Sequence, residues 1–189
     1  MKKIILFAAI LFASVSVAMA QAAVPPVVSA DASDQVTLNV ELHPIQTLFI
    51  NSTQEKVDLE YKLTTDYSAG VSSLQEDHLK IYSTGAFIVQ VQSATNDIKR
   101  AGGIETISAS TIKVKAELGS TNSLAGQTMA QVSLSTTPTN LINSGVGGVD
   151  KNFNITYSGL DLNGYVNNYF NDENPTVYTT TVTYTIAAQ

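Results

Sequence analysis

The sequence contains no cysteine. A chain without cysteine forms no disulfide and offers neither a thiolate nucleophile nor a cysteine-based metal site. Its stability must therefore come from buried apolar surface. At 189 residues the chain is long enough to build a core without covalent cross-links.

Basic residues are also scarce. Ten Lys and Arg stand against sixteen Asp and Glu, so the formal net charge at pH 7 is −6. Nucleic acids and anionic membrane surfaces both attract clustered positive charge. The composition therefore argues against either of them as a partner.

Catalytic signals are few. The two histidines, His43 and His78, are too far apart for local metal-ligand spacing, and His78 is predicted in a solvated polar turn. No serine stands in a Gly-x-Ser-x-Gly elbow, and the adjacent Asp172 and Glu173 tend to point apart on an extended chain. We expect no enzyme and no cofactor. Residues 161–164 match only a fragment of a calcium loop, which leaves calcium as the one inorganic alternative.

One long apolar run is present, at the N-terminus. Lys2 and Lys3 precede the run Ile4 to Phe12, and a small-residue stretch ends at Ala20. This order predicts a signal peptide over residues 1–20 that is cleaved before Gln21. We therefore expect an extracytoplasmic protein, in the periplasm, on the outer-membrane surface or secreted. No other run approaches the roughly twenty apolar residues of a membrane-spanning helix.

The remaining chain alternates apolar and polar residues with a period of two, which is typical of strands buried on one face. The alternating positions are Val36–Leu42, Val57–Leu63, Leu79 and Ile81, Phe87–Val91, Ile112–Leu118, Val132 and Leu134, Phe153–Tyr157, and Tyr178–Ile186. The single helix candidate is short, from Val71 to His78. About eight or nine strands predict an all-β fold over residues 36–189, an immunoglobulin-like antiparallel β-sandwich. An outer-membrane barrel is the alternative architecture.

Residues 21–35 differ in composition from the predicted domain. Pro25 and Pro26 lie among small and polar residues, which indicates an extended arm without a core of its own. One interpretation is a frayed N-terminus. The other is a donated arm that adds a strand to a neighbouring subunit.

The segment from Asp161 to Tyr178 is rich in asparagine and tyrosine. Aromatic rings stack on sugar faces while amides bond to sugar hydroxyls, so the segment is a candidate contact for a glycan or a protein partner. The candidate residues are Asn163, Tyr165, Asn167, Asn168, Tyr169, Phe170 and Asn171. The structural alternative is a long turn whose aromatic side chains cover one end of the sandwich.

Three segments carry a resemblance to a known class of proteins: residues 36–51, 78–91 and 178–186. They resemble short exported β-sandwich proteins of Gram-negative bacteria, some of them fimbrial or spore-coat-type surface subunits. The resemblance implies that the alternating last strand, with Val182, Tyr184 and Ile186 on one face, is an assembly strand. Proteins of this kind are sometimes labelled peptidoglycan-binding, although the LysM signature is not found in this sequence.

Two functions remain open. The first is a non-catalytic structural or adhesive subunit of the cell surface, which self-assembles or binds another surface protein. The alternative is a monomeric module of the cell envelope that binds glycan or peptidoglycan. The first would use the N-terminal arm and the last strand, whereas the second would use the asparagine- and tyrosine-rich segment.

Overall fold

The computed structural model describes residues 33–121 and 126–189. The predicted signal peptide, and all of the predicted arm except residues 33–35, lie outside the described residues. The chain divides into two units, Met1–Glu41 and Leu42–Gln189. Within the described ranges, no helix has the length and apolar character needed to cross a membrane.

In the first unit, residues 33–41 form neither helix nor strand. Val36, Leu38 and Val40, and Leu42 at the start of the second unit, expose between 75% and 91% of their surface. The strand predicted over Val36–Leu42 is therefore wrong for this single chain. An alternating sequence forms a strand only when a second backbone pairs with its N–H and C=O groups, and no described strand pairs with these residues.

The second unit is built of strands. Its described residues form β1 (Gln46–Ile50), β2 (Ser72–Ser83), β3 (Phe87–Ser93), β4 (Asp97–Arg100), β5 (Thr106–Ser108), β6 (Lys113–Leu118), β7 (Thr128–Met129), β8 (Gln131–Ser133), β9 (Thr139–Ser144), β10 (Gly148–Ser158), β11 (Tyr178–Thr179) and β12 (Val182–Ala188). One short α-helix, α1 (Thr64–Ala69), and the 3₁₀ turns Ser52–Gln54, Ala109–Thr111 and Val166–Asn168 complete it. The all-β prediction is confirmed.

The strands form three sheets in which every pairing is antiparallel. The five-stranded sheet has the order β1-β2-β10-β6-β8, and the four-stranded sheet has the order β12-β3-β9-β7. A small third sheet has the order β11-β4-β5. One end strand of the five-stranded sheet is β1, and one end strand of the four-stranded sheet is β12.

One hydrophobic core joins the two larger sheets. Leu79, Phe153 and Ile155 of the five-stranded sheet are buried in the same cluster as Phe87 and Val89 of the four-stranded sheet. This shared core is the packing expected of a β-sandwich. Since fully burying a large apolar side chain contributes roughly 1.5–3 kcal/mol, this cluster dominates the stability of the unit.

The predicted helix from Val71 to His78 is wrong, because all of these residues after Val71 belong to β2. The polar run ahead of His78 hid the alternation, and a bulge opposite Asn154 breaks the pairing of β2 with β10 between Leu79 and Gln75. Asp77 lies in this bulge with a positive φ of 49°. His78 is buried in the strand, so the predicted solvated turn is wrong as well.

Two further strand predictions need correction. Val57 and Leu59 pack against the core, but residues 57–63 do not join a sheet. The long last strand is divided: Tyr178 and Thr179 pair in the three-stranded sheet, whereas Val182–Ala188 pairs with β3. The chain therefore changes sheet at residues 180–181.

The other predicted strands are present, centred on Ile81, Val89, Val114, Val132 and Ile155. Sequence analysis missed β1, β4, β5, β7 and β9. Four of these have five residues or fewer, which is too short for a clear period of two. In β9 a bulge buries the consecutive residues Leu141 and Ile142, so the alternation is interrupted.

Candidate functional site

The predicted assembly strand is the end strand β12 of the four-stranded sheet. One side of β12 pairs with β3 along its whole length, from Val182 opposite Ser93 to Ala188 opposite Phe87. No described strand pairs with its other side, which we call the open edge. Cα atoms of β1 come within 8 Å of β12, yet the two strands do not pair. An end strand of this length presents free backbone donors and acceptors.

The inner face of β12 carries the three predicted residues Val182, Tyr184 and Ile186. All three pack against the core but remain half-buried, as does Leu48 of β1. The corresponding inner residues of β3, Phe87 and its neighbours in alternation, are buried. The core is therefore less completely covered at the open edge than at the centre of the same sheet.

Tyr184 ends a chain of hydrogen bonds that runs through the core. Its hydroxyl lies 2.6 Å from the hydroxyl of Tyr157 on β10, which lies 3.1 Å from Nε2 of His78. His78 Nδ1 lies 3.0 Å from Oε1 of Gln54. Gln54 donates from Nε2 to the carbonyl oxygen of Glu76, which leaves Oε1 as the acceptor toward His78. His78 therefore donates from Nδ1 and accepts at Nε2.

Burial keeps this chain of groups uncharged. His78 is only 2% exposed, and desolvation lowers the pKa of its imidazole. Desolvation also raises the pKa of Tyr157 to about 12 and, together with the neighbouring Tyr157, raises the pKa of Tyr184. The bond between Tyr157 and Tyr184 joins the two larger sheets. Both ring nitrogens of His78 are already hydrogen-bonded and the ring is buried, so the imidazole has no free position for a substrate. Sequence analysis missed this arrangement, since its members are distant along the chain.

The asparagine- and tyrosine-rich segment uses most of its aromatic side chains for internal packing. The ring of Tyr165 makes an edge contact with Tyr61 at 5.3 Å between centroids, and its hydroxyl lies 2.5 Å from Oγ1 of Thr111. Burial raises the pKa of Tyr165. Tyr178 donates a hydrogen bond of 2.9 Å to the carbonyl oxygen of Asn168. These contacts fix the segment against the domain.

Phe170 is covered by a cation. The guanidinium carbon of Arg100 lies 4.1 Å from the centroid of the Phe170 ring. Arg100 also forms ion pairs with Glu105, at 2.6 Å, and with Glu173. The pKa of Glu105 is lowered by hydrogen bonds from backbone N–H groups and from Arg100. One arginine thus contacts Glu173 and the Phe170 ring of this segment and also binds Glu105 in the turn between β4 and β5.

The remaining predicted contact residues are placed at the surface. Asn163, Asn167, Tyr169 and Asn171 are exposed, and Asn168 is half-buried. Tyr169 is the one aromatic residue of the seven candidates that is more than a third exposed. Of the three aromatic candidates, the structure therefore leaves a single exposed ring for stacking on a sugar.

A shallow concavity of about 270 Å³ lies beside this segment. Thr111, Lys113, Gln131, Ser158 and Asp161 line it, so it is mostly polar. In the described part of the chain, no group of three or more His, Asp or Glu side chains is placed to hold a metal ion. Comparison with known proteins finds no family model that matches the chain and no curated protein that is similar to it.

Proposed function

We propose that this chain is an exported, non-catalytic structural subunit of a bacterial cell surface, and that it assembles by strand donation. In this proposal, residues Val36–Leu42 of one copy pair with the open edge of β12 in the next copy. The predicted signal peptide provides export, and residues 21–35 act as the tether that precedes the donated strand. The proposal also assigns the β-sandwich to the immunoglobulin-like type.

The observation that carries the proposal is the exposed alternation of Val36, Leu38, Val40 and Leu42. These side chains would share one face of a strand, while Thr37, Asn39 and Glu41 would share the other. Burying each apolar side chain against a neighbour would contribute roughly 1.5–3 kcal/mol. A segment with this pattern that pairs with no described strand of its own chain is therefore suited to pairing with a second copy.

The open edge has the matching properties. Val36–Leu42 and β12 have the same length of seven residues, and neither contains proline. A strand added to β12 would satisfy the free backbone groups of the edge and place its apolar face over Ile186 and Leu48. Pro44 would end the added strand, because proline lacks the N–H that the ladder requires.

A charge on each face of the donated strand tests the proposal. Leu38→Asp would place a carboxylate on the buried face, whereas Asn39→Asp adds the same charge one residue later on the outer face. We expect Leu38→Asp to abolish polymers while the circular dichroism spectrum stays that of a folded β domain, and Asn39→Asp to retain polymers. Negative-stain microscopy and size-exclusion chromatography report the assembly. Polymers of Leu38→Asp with unchanged length would overturn the proposal.

Since the chain has no native cysteine, disulfide trapping identifies the acceptor. Copies with Asn39→Cys, on the outer face of the donated strand, are mixed with copies with Thr185→Cys, on the outer face of β12, and oxidised. Donation between copies predicts a covalent pair of chains that contains one of each variant. If the doubly substituted chain instead closes on itself as a monomer, the strand folds back onto its own domain and the polymer model is wrong.

The alternative function, a glycan-binding module, is favoured by one observation. Exposed Tyr169 and exposed asparagines lie on the segment that flanks the polar concavity at Thr111 and Asp161. A ring that stacks on a sugar beside polar groups is a typical arrangement for weak glycan binding. Titration of the Leu38→Asp protein, which should not polymerise, with soluble peptidoglycan fragments tests this function. Saturable binding that is lost in Tyr169→Ala would support it.

A further inference from the structure

The four-stranded sheet has no charged residue in any of its strands β12, β3, β9 and β7. Charged residues occur in β2, β6 and β10 of the five-stranded sheet and in β4 of the small sheet. The outer surface of the five-stranded sheet, for example, carries Lys80, Lys115 and Glu117. The four-stranded sheet therefore presents a different kind of surface to solvent.

The outward residues of this sheet are mostly amides and hydroxyls in rows across neighbouring strands, and one row also contains the apolar residues Ile88 and Ala187. Thr185 of β12 is opposite Gln90 of β3, which is opposite Asn140 of β9, and Thr183 is opposite Gln92. We call these five residues, together with Asn143, the neutral face. Its members alternate with the buried positions of the same strands, so their side chains point away from the core.

A hydrogen bond within the neutral face holds two of its amides in place. Gln90 donates from Nε2 to Oδ1 of Asn140 at 2.9 Å. This bond leaves Oε1 of Gln90 as an acceptor and Nδ2 of Asn140 as a donor, side by side on the surface. A surface that offers ordered donors and acceptors together is complementary to a copy of itself related by a two-fold axis.

We infer that the neutral face is a lateral contact between copies of this chain. Copies of a chain with net charge −6 repel each other, and the neutral face is a surface on which no strand residue adds to that repulsion. Depletion of charge is also the compositional mark of the centre of protein interfaces. The outward residues of the face include no aromatic ring for stacking on a sugar, so a second copy fits the face better than a glycan.

The inference is independent of strand donation, although the two would act together. A polymer built by donation would repeat the neutral face in every subunit, and many weak contacts in register would bind polymers side by side. In a protein that cannot donate its strand, the same face would give a closed dimer. The two proposals can therefore fail separately.

The test uses the Leu38→Asp protein and changes one outer residue of β12. Thr185→Asp adds a charge to the neutral face, and Thr185→Asn adds a neutral side chain of nearly the same shape. Ser133→Asp, on the outer surface of β8 in the other sheet, controls for added charge alone. Sedimentation velocity over a range of protein concentrations measures the monomer–dimer equilibrium, and circular dichroism monitors folding.

We expect a concentration-dependent dimer in the Leu38→Asp, Thr185→Asn and Ser133→Asp proteins. In Thr185→Asp the dissociation constant should rise at least about tenfold, because the new carboxylate loses water without gaining a partner. A dimer of undiminished affinity in Thr185→Asp would overturn the inference, and so would a Leu38→Asp protein that stays monomeric throughout. If that monomer binds a neutral polysaccharide and the Thr185→Asp substitution abolishes the binding, the neutral face is a glycan-binding surface instead. If the Leu38→Asp protein still polymerises, the strand-donation proposal is wrong. The lateral contact is then tested by whether polymers of the Thr185→Asp protein still pack side by side.

Discussion

The hydroxyl groups of Tyr157 and Tyr184 lie 2.6 Å apart and join the central strand of one sheet to the end strand of the other. Tyr157 belongs to β10, which pairs on both sides, whereas Tyr184 belongs to β12, which pairs on one side among the described strands. The hydrogen bond thus links the proposed assembly edge to the best-supported strand of the domain. His78, behind Tyr157, is the third member of this connection.

Removing the hydroxyl of Tyr184 tests the connection. Tyr184→Phe keeps the ring and deletes one hydrogen bond between largely buried groups, so the free energy of unfolding should fall by about 1 kcal/mol. Urea denaturation should show a lower midpoint with an unchanged slope. Tyr82→Phe, on the outer side of β2, is the matched control and should leave the midpoint nearly unchanged. Equal effects of both substitutions would contradict a specific role for the Tyr157–Tyr184 bond.

The buried His78 predicts a dependence of stability on pH. Desolvation lowers the pKa of His78 in the folded domain below its ordinary value of 6.5, so the unfolded chain binds a proton more readily. The neutral form is therefore the one that the fold favours. Its contribution is complete above pH 6.5, and it is lost as the pH falls from 6.5 through the lower pKa of the folded state.

Urea denaturation at a series of pH values between 8 and 5 measures this effect. We expect the free energy of unfolding to decline more steeply in the native protein than in His78→Gln, since the substituted side chain does not titrate. His43→Gln, outside the core cluster, should keep the native slope. The interpretation fails if His78→Gln and the native protein lose stability in parallel.

We expect the contacts of Arg100 to limit the mobility of the asparagine- and tyrosine-rich segment. The Arg100 guanidinium binds Glu173 and covers Phe170, so Arg100→Gln removes two contacts of the segment at once, together with the ion pair to Glu105 in the neighbouring turn. Amide hydrogen exchange in residues 166–177 should become faster, while exchange in β3 and β10 stays slow. Lys99→Gln removes an exposed charge from the adjacent position and should change neither region. Unchanged protection of the loop in Arg100→Gln would show that its backbone contacts suffice.

The sequence predicted the elements whose alternation is regular and whose inner face is fully buried. Phe87, Val89 and Val91 of β3 are the clearest case, because a period of two is a direct consequence of one buried face. The same pattern at Val36–Leu42 predicted a strand that the single chain does not form. Periodicity shows that a segment can pair as a strand, but it does not identify the strand with which it pairs. The bulge at Asp77 broke the pattern in β2, and a polar run was interpreted as a helix.

The candidate site was predictable only in part. Val182, Tyr184 and Ile186 could be assigned to one face of a strand from their spacing alone. Their location at an end of the sheet could not, because the order of strands is set by contacts between distant segments. Likewise, the sequence could show that tyrosines cluster after Asp161. It could not show that Tyr165 is already packed against Tyr61, which precedes it by about a hundred residues.

The same added charge should lower stability strongly at one residue of β12 and only slightly at its neighbour. Ile186 faces the core and Thr185 faces solvent, so Ile186→Asp buries a carboxylate that Thr185→Asp leaves in water. A half-buried charge without a partner costs several kcal/mol, a large part of the 5–15 kcal/mol that stabilises a typical domain. Thr185→Asp loses only strand propensity, about 1 kcal/mol at most. In thermal melts followed by circular dichroism, Ile186→Asp should therefore be unfolded or melt far below the native protein, and Thr185→Asp should melt close to it. Equal melting of the two variants would mean that β12 is not docked on the core. Neither the open edge nor the neutral face would then exist as a defined surface, and both assembly proposals would lose their structural basis.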